Sequence, residues 1–466
     1  LARAPVDAVH GLGAEPQRST LPEKVEAVRA AARIGRAGVL VVDRLLERLT
    51  TKPEALLDGG DDAQLTLAAL AALGTSASRG ALERLAGLAL AQGDDARRRR
   101  IGVLLRCRAA RELAGENASD PRLSACEPGG GVEGKRAELA VLGRAPIVGA
   151  RARRFGELVA DANPRVQQDA LALLASHPEL DAASSRLLVA LRAPKLGVVI
   201  TAAEQIAKNP GLASGPRKKR RAQAKDDADD APAPPDPAVV AALVETLERA
   251  SRGPELELAH AAIDAIGALG QKELAPKLEP WCGSSWPTAR EHAAKALGLL
   301  EGKKRSCPAP ERSESLAEEL VRREVAPGTK LVFETDAGEL RIELDTERAP
   351  VTSARLEKLA ALGFYDGLLV HRVDPSFVVQ LGAPDGDGFG GASGDPPLRC
   401  ETSPAPFEEL SVGLALAGRD TGSSQIFVMR ARHPHLDGQY PIVGRASGAW
   451  SALVEGDRIS RVRVER

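Results

Sequence analysis

The sequence predicts two architectures in one chain, an all-α solenoid of stacked helix pairs followed by a small closed β-barrel with flanking helices. Three observations predict it. Apolar residues recur at helical spacing through the first three hundred positions, and period-two alternation takes over near Ala326. Aromatic residues make up only 3% of the chain, so Leu, Ala, Val and Ile must fill the cores. That favours closely packed helices over a large aromatic sandwich. At 466 residues the chain exceeds what one core supports.

Charge and hydropathy narrow the function classes. A net charge of -1 gives no argument for nucleic acid or an anionic membrane as a bulk partner. No apolar run is long enough to cross a bilayer, which takes about 20 residues. The chain begins at Leu1 without Met, so the expectation is an upstream segment that is missing or was removed.

Residues 1–19 read as a tail, and the helical repeats run from 20 to 310. Leu65 to Gly74 (LTLAALAALG) resembles His260 to Gly270 (HAAIDAIGALG), Glu291 to Gly298 (EHAAKALG) and the run from Asn163 through Leu174. Each has a helix-opening Pro or polar residue, a small Ala-rich face, and often Gly where the helix ends. Small residues let neighbouring helices approach, and each pair buries its apolar face only against the next. The pattern resembles HEAT-type or armadillo-like repeats, which implies a surface that recruits protein partners. An irregular helical bundle is the alternative.

Residues 214–237 interrupt the array with six basic residues, then five acidic ones, among prolines. Such a segment buries no apolar surface and reads as a disordered charged insert. Arg217 to Arg221 could serve as a polyanion patch, or simply be a solvated loop neutralised by the acidic block. Cys107 and Cys126 are close in sequence, as are Cys282 and Cys307, while Cys400 stands alone. Each pair, if bridged, closes a short ring and places the protein in an oxidising compartment such as a bacterial periplasm or the cell exterior. Otherwise the chain carries five buried thiols in a cytosolic setting. No CxxC occurs, so zinc ribbons have no support.

After a linker at 311–329, the second module occupies 330–466. Lys330 to Thr335 and Glu339 to Asp345 alternate around the turn Asp336 to Gly338, which reads as a hairpin. Pro350 opens a helix to about Leu362 that stops at Gly363. Short strands are expected at Leu368–Val373, Phe377–Leu381, Val412–Ala417, Gln425–Met429 and Ile442–Val443, joined by Gly-rich loops, as in a small barrel.

Four stretches of this module occur in the order and spacing of one family. They are Gly363–Val373 (GFYDGLLVHRV), Pro375–Gln380 (PSFVVQ) with the loop ending at Gly391, Leu414–Phe427 (LALAGRDTGSSQIF), and His435–Gly444 (HLDGQYPIVG). In these the module resembles the cyclophilin-type peptidyl-prolyl cis/trans isomerases. The resemblance implies rotation of Xaa-Pro bonds in protein clients, without metal or cofactor. That rotation meets a barrier of about 18–20 kcal/mol because amide resonance holds the bond planar. A site need only grip the proline ring and favour the twisted amide.

By resemblance, Arg372 and Gln380 are the catalytic pair. Arg372 sits over the proline and donates towards its nitrogen, whose lone pair is free only once resonance breaks. Phe377, Phe427 and Leu436 form the apolar pocket, with Val378 on its rim and Tyr440 lining it. Gln380 and Gln425 hold the substrate backbone, and Ala415, Leu416 and His435 complete the surface. Three departures stand out. Leu416 replaces a usual Asn, Leu381-Gly-Ala383 replaces Gly-Gly-Asp, and His435 replaces a Trp, which implies weak cyclosporin binding. The rival reading is a proline-binding adaptor that turns nothing over. Gly386 to Gly391 lacks the strand-turn-helix context of a phosphate loop, and His433 with His435 reads as two turn residues rather than a metal site. HExxH and GxSxG are absent.

Overall fold

Polar caps and Pro residues start the helices. The computed structural model describes residues 20–90, 95–177, 180, 183–214, 234–253, 255–310, 324–392, 394–448 and 450–466. Thr20 and Glu23 form a capping box on Leu21–Arg33, and Asn163 accepts from the Arg165 amide to open Pro164–Leu174. Gly298, read from sequence as a helix end, lies inside Pro287–Glu301, which stops at Gly302 with φ +69°. The small faces do allow close approach. A Cβ on Gly267 would lie 2.6 Å from that of Ala296 in the neighbouring helix.

Successive helices alternate across the region. Pro164–Leu174 packs on Leu196–Lys208, which packs on Leu256–Leu269, which in turn packs on Pro287–Glu301. One apolar core spans Leu139 to Leu300 and another Leu21 to Ala109. The cysteine pairs Cys107–Cys126 and Cys282–Cys307 are joined, each with Cα atoms 4.9 Å apart, and Cys400 is free. Most of the charged insert, the tail at 1–19 and most of the linker lie outside the described residues. The described ends of the insert meet, with Ser214 bridged to Pro235 and the Asp236 amide donating to Ala213 at 2.7 Å. Among the described residues no helix is long and apolar enough to cross a membrane.

The second module is one antiparallel sheet of β1 (Lys330–Thr335), β2 (Gly338–Leu344), β3 (Arg372–Val373), β4 (Val378–Leu381), β5 (Ser411–Leu414), β6 (Ile426–Met429), β7 (Ile442–Gly448) and β8 (Ile459–Glu465). Its order is β3-β4-β6-β5-β7-β2-β1-β8, with helix Pro350–Ala361 beside it. The expected closed barrel is not found. The sheet curls into a half-barrel whose edges β3 and β8 share no ladder. Among the described residues, the bridge Leu369–Arg458 and adjoining backbone bonds join the segments that precede β3 and β8. The physical reason lies at Leu368–Val373, expected as one strand. Gly367 turns at φ +82° and only Arg372 and Val373 pair with β4, so the edge is too short to complete the circle.

The helical region wraps this half-barrel. Val454 is buried in the N-terminal helical core, and Phe389 packs on the larger one. Arg100 bridges Asp336 and the buried Asp457, both at 2.8 Å. Arg136 and Arg165 hold Glu455. Arg29 reaches Ser376 at 2.6 Å and Asp374 at 3.1 Å, on the turn before β4. At the opposite end Gln168 donates to Asp387 at 2.9 Å, and Lys195 pairs with Asp385.

Candidate active site

Alternation along two strands separates the core of the half-barrel from the site. Val379 and Leu381 of β4, with Ile426 and Val428 of β6, fill the core. Their neighbours point to the other face, where Gln380 pairs with Phe427 and Val378 with Met429. There Val378, Phe407, Phe427, Met429, Leu436 and Ile442 form a second buried cluster, with Phe377, Ala415 and Tyr440 at its margin. Val378 is thus in the floor, not on the rim. Its place two residues before Gln380 puts it on that same face, packed among Phe407, Phe427 and Met429, where it is 2% exposed.

Arg372 projects from β3 into solvent opposite Gln380. Its guanidinium carbon lies 5.5 Å from the centre of the Phe377 ring, and Nη1 stands 3.4 Å from Gln380 Oε1. Gln380 Nε2 donates to Gln425 Oε1 at 2.9 Å, and Gln425 Nε2 donates to Gly388 O at 3.0 Å and Gly390 O at 2.8 Å. This polar relay joins the arginine to the glycine loop. The cation itself stays exposed, with donors to spare.

Rings set the apolar side. Phe427 stacks on Phe407 at 5.6 Å and meets Tyr440 edge-on at 5.6 Å. Phe377 meets His433 at 4.7 Å and His435 at 5.7 Å, and His433 Nε2 lies 2.8 Å from Ser376 O. Leu416 is half-buried against the core of the half-barrel, while the Ala415 amide donates to Gln425 O at 2.9 Å. Phe377, Val378, Ala415, Phe427, Leu436 and Tyr440 therefore gather on one face with Arg372, Gln380, Gln425 and His435 beside them, whereas Leu416 packs towards the core.

The substituted turn at Leu381–Ala383 is braced by Ser424, which precedes β6. Ser424 Oγ donates to Gly382 O at 2.8 Å, and Tyr365 Oη donates to Ser424 O at 3.0 Å. Gly382 is at φ +98°, and a Cβ there would lie 2.4 Å from Ser424 O. Behind Arg372, burial pulls His371 down to about 4, helped by the guanidiniums of Arg165 and Arg372. The ring is neutral at neutral pH and adds no charge beside the arginine.

Sequence reasoning missed Phe407 and His433 as pocket residues. Phe407 follows the Pro-rich run Ser403 to Pro406, where no strand pattern marks it, and its one cue is its size in an aromatic-poor chain. The helical contacts through Arg29, Gln168 and Lys195 carry no sequence signal, because they join residues far apart in the chain. Among the described residues no cluster of three or more His, Cys, Asp or Glu could hold a metal ion.

Comparisons with known proteins match the second module. The family model for cyclophilin type peptidyl-prolyl cis-trans isomerase matches residues 330–464. Peptidyl-prolyl cis-trans isomerase B of Bacillus subtilis is 44% identical over 135 residues, 28% of this chain and 93% of that protein. A peptidyl-prolyl cis-trans isomerase of Synechococcus elongatus is 39% identical over 141 residues, 29% of this chain and 96% of that one. A crystal structure of a cyclophilin type isomerase from Cryptosporidium parvum shares 23% identity and covers 30% of this chain and 98% of that one, with a TM-score of 0.27.

Proposed function

The chain belongs to the cyclophilin-type peptidyl-prolyl cis-trans isomerases, and from that premise we propose how its site and helices divide the work. The activity is cis/trans rotation of Xaa-Pro bonds in protein clients. The observation that carries it is the convergence of exposed Arg372 and the Gln380–Gln425 pair over the Phe377–Phe427–Leu436 floor.

The proline ring settles on that floor, which excludes water from one side of the amide. The two glutamines hold the flanking backbone. As the C–N bond twists, its nitrogen lone pair leaves resonance and accepts a hydrogen bond from Arg372. That bond exists only near the transition state, so it lowers the barrier without tightening the ground state. A charge-assisted bond contributes about 1.5–3 kcal/mol, and the ordered floor and backbone contacts supply the remainder.

Residues 20–310 form a HEAT-like solenoid that carries protein partners, joined to the module at 330–466 through 311–329. Alternate-helix packing supports this reading. The two cysteine pairs act as structural disulfides in an oxidising compartment. The test of function is isomerisation of a short Xaa-Pro peptide. Wild type is expected to exceed buffer by orders of magnitude, and Arg372→Ala to lose at least about 100-fold, close to 2.7 kcal/mol. Wild type no faster than buffer would favour the adaptor reading.

A further inference from the structure

A cavity of about 550 Å³ opens beside Gln380 and Gln425, between the glycine loop and the helical region. Its half-barrel wall includes Gly388–Ala392 and Ala415. Its other wall belongs to the helices, through Leu196, Arg249, Leu256, Glu255 and Glu257. The cavity begins one side chain from the catalytic arginine, because Gln380 touches both. A peptide residue adds at most about 3.6 Å of reach, so a side chain one or two positions from a bound proline enters it.

The charges on these walls are not equally free. Asp385 is held by Lys195, and Asp395 by Lys358. Arg249, Glu255 and Glu257 form no ion pair among the described residues, leaving two carboxyls against one guanidinium. Arg249 lies in the last turn of Pro237–Ala250, while Glu255 caps and Glu257 opens Leu256–Leu269, so each charge is offset by its own helix dipole and the two-to-one count stands. Glu257 is positioned, since its Oε2 accepts from the Gly390 amide at 3.2 Å. Burial, with the nearby carboxylates Glu204 and Asp387, lifts Glu257 to about 7, which an arriving cation would relieve.

We propose that this cleft is a client-selecting pocket that takes a lysine or arginine side chain flanking the proline, recognised by Glu255 and Glu257 of the helical region. The helices then shape which prolines are turned over as well as where the enzyme is held. The proposal rests on the isomerase reading and deepens it.

The test uses the full chain and Ala-Pro peptides identical except for Lys or Glu placed one or two residues to either side. In wild type kcat/KM is expected to favour Lys over Glu by about fivefold or more at one of these positions, the scale of a partly shielded ion pair. The ratio is expected to fall to about one in the double variant Glu255→Gln/Glu257→Gln and to rise in Arg249→Glu. A ratio near one at every position in wild type, or one that survives the double variant, overturns the proposal. Fluorescence anisotropy of the same peptides, labelled, gives the ratio of Kd values independently of turnover. If no peptide is isomerised, the isomerase reading fails, and the Kd ratio still decides the pocket.

Discussion

The helical region and the C-terminal module spend their polar side chains differently. In the module, Arg372, Gln380 and Gln425 converge on an open face, and the cation is left exposed for a substrate. In the helices, Arg100, Gln168 and Lys195 are committed to loops of the half-barrel. The contrast teaches that the residues proposed for the chemistry sit on β3, on β4 and just before β6, while the frame that holds their loops extends over most of the chain. The frame also reaches the pocket edge at Ser376 and at Gly390.

Breaking the pocket floor should have the largest effect. Phe427 is 6% exposed between Phe407 and Tyr440, so Phe427→Ala is expected to cost about 3–5 kcal/mol in denaturant unfolding and to remove turnover. Opening the frame comes next. Reducing either cysteine pair frees a loop of 19 or 25 residues and should cost about 3 kcal/mol, read as a lower denaturation midpoint, with isomerisation retained while the chain stays folded.

Acid should weaken the seam between the regions. Burial holds both His260 and His371 at about 4 in the folded chain, against 6.5 in the open one. The unfolded state therefore binds more protons between these values, and stability is lost as pH falls from about 6.5 towards 4. Glu257, raised to about 7, works the other way between 4.5 and 7. A net loss on the order of 2 kcal/mol is expected between pH 7 and pH 4.5 in urea titrations, and a larger one in Glu257→Gln, which lacks the opposing carboxyl. The smallest effect is predicted for Arg29→Ala, which removes a partly exposed pair with Asp374 and should cost about 0.5–1 kcal/mol in unfolding.

Legibility followed the same division. Arg372, Phe377, Gln380, Gln425 and Phe427 could be named because four stretches kept one family's order; cross-strand pairing sets Arg372 and Phe427 opposite Gln380, while the turn at Asp374–Phe377 brings Phe377 beside them. Val378 was misplaced because a motif does not say that Phe407 and Met429 pack against it. The closed barrel was over-read at Leu368–Val373, where an apolar run looked like a full strand but Gly367 turned the chain. The helices were legible as helices from their 3.6-residue spacing and caps. Their grip on the half-barrel was not, since Gln168 and Asp387 meet only after both regions have folded.

The central claim is that the chemistry belongs to Arg372 and the helical frame supports it. Its most direct test is kcat/KM on one neutral Ala-Pro peptide for wild type, Arg372→Ala and Arg100→Ala, each corrected for the folded fraction. Arg100 binds the half-barrel through Asp336 and Asp457, which line none of the site. The predicted result is a loss of at least about 100-fold for Arg372→Ala and less than about twofold for Arg100→Ala. Equal losses in the two variants, or an unimpaired Arg372→Ala, would contradict it.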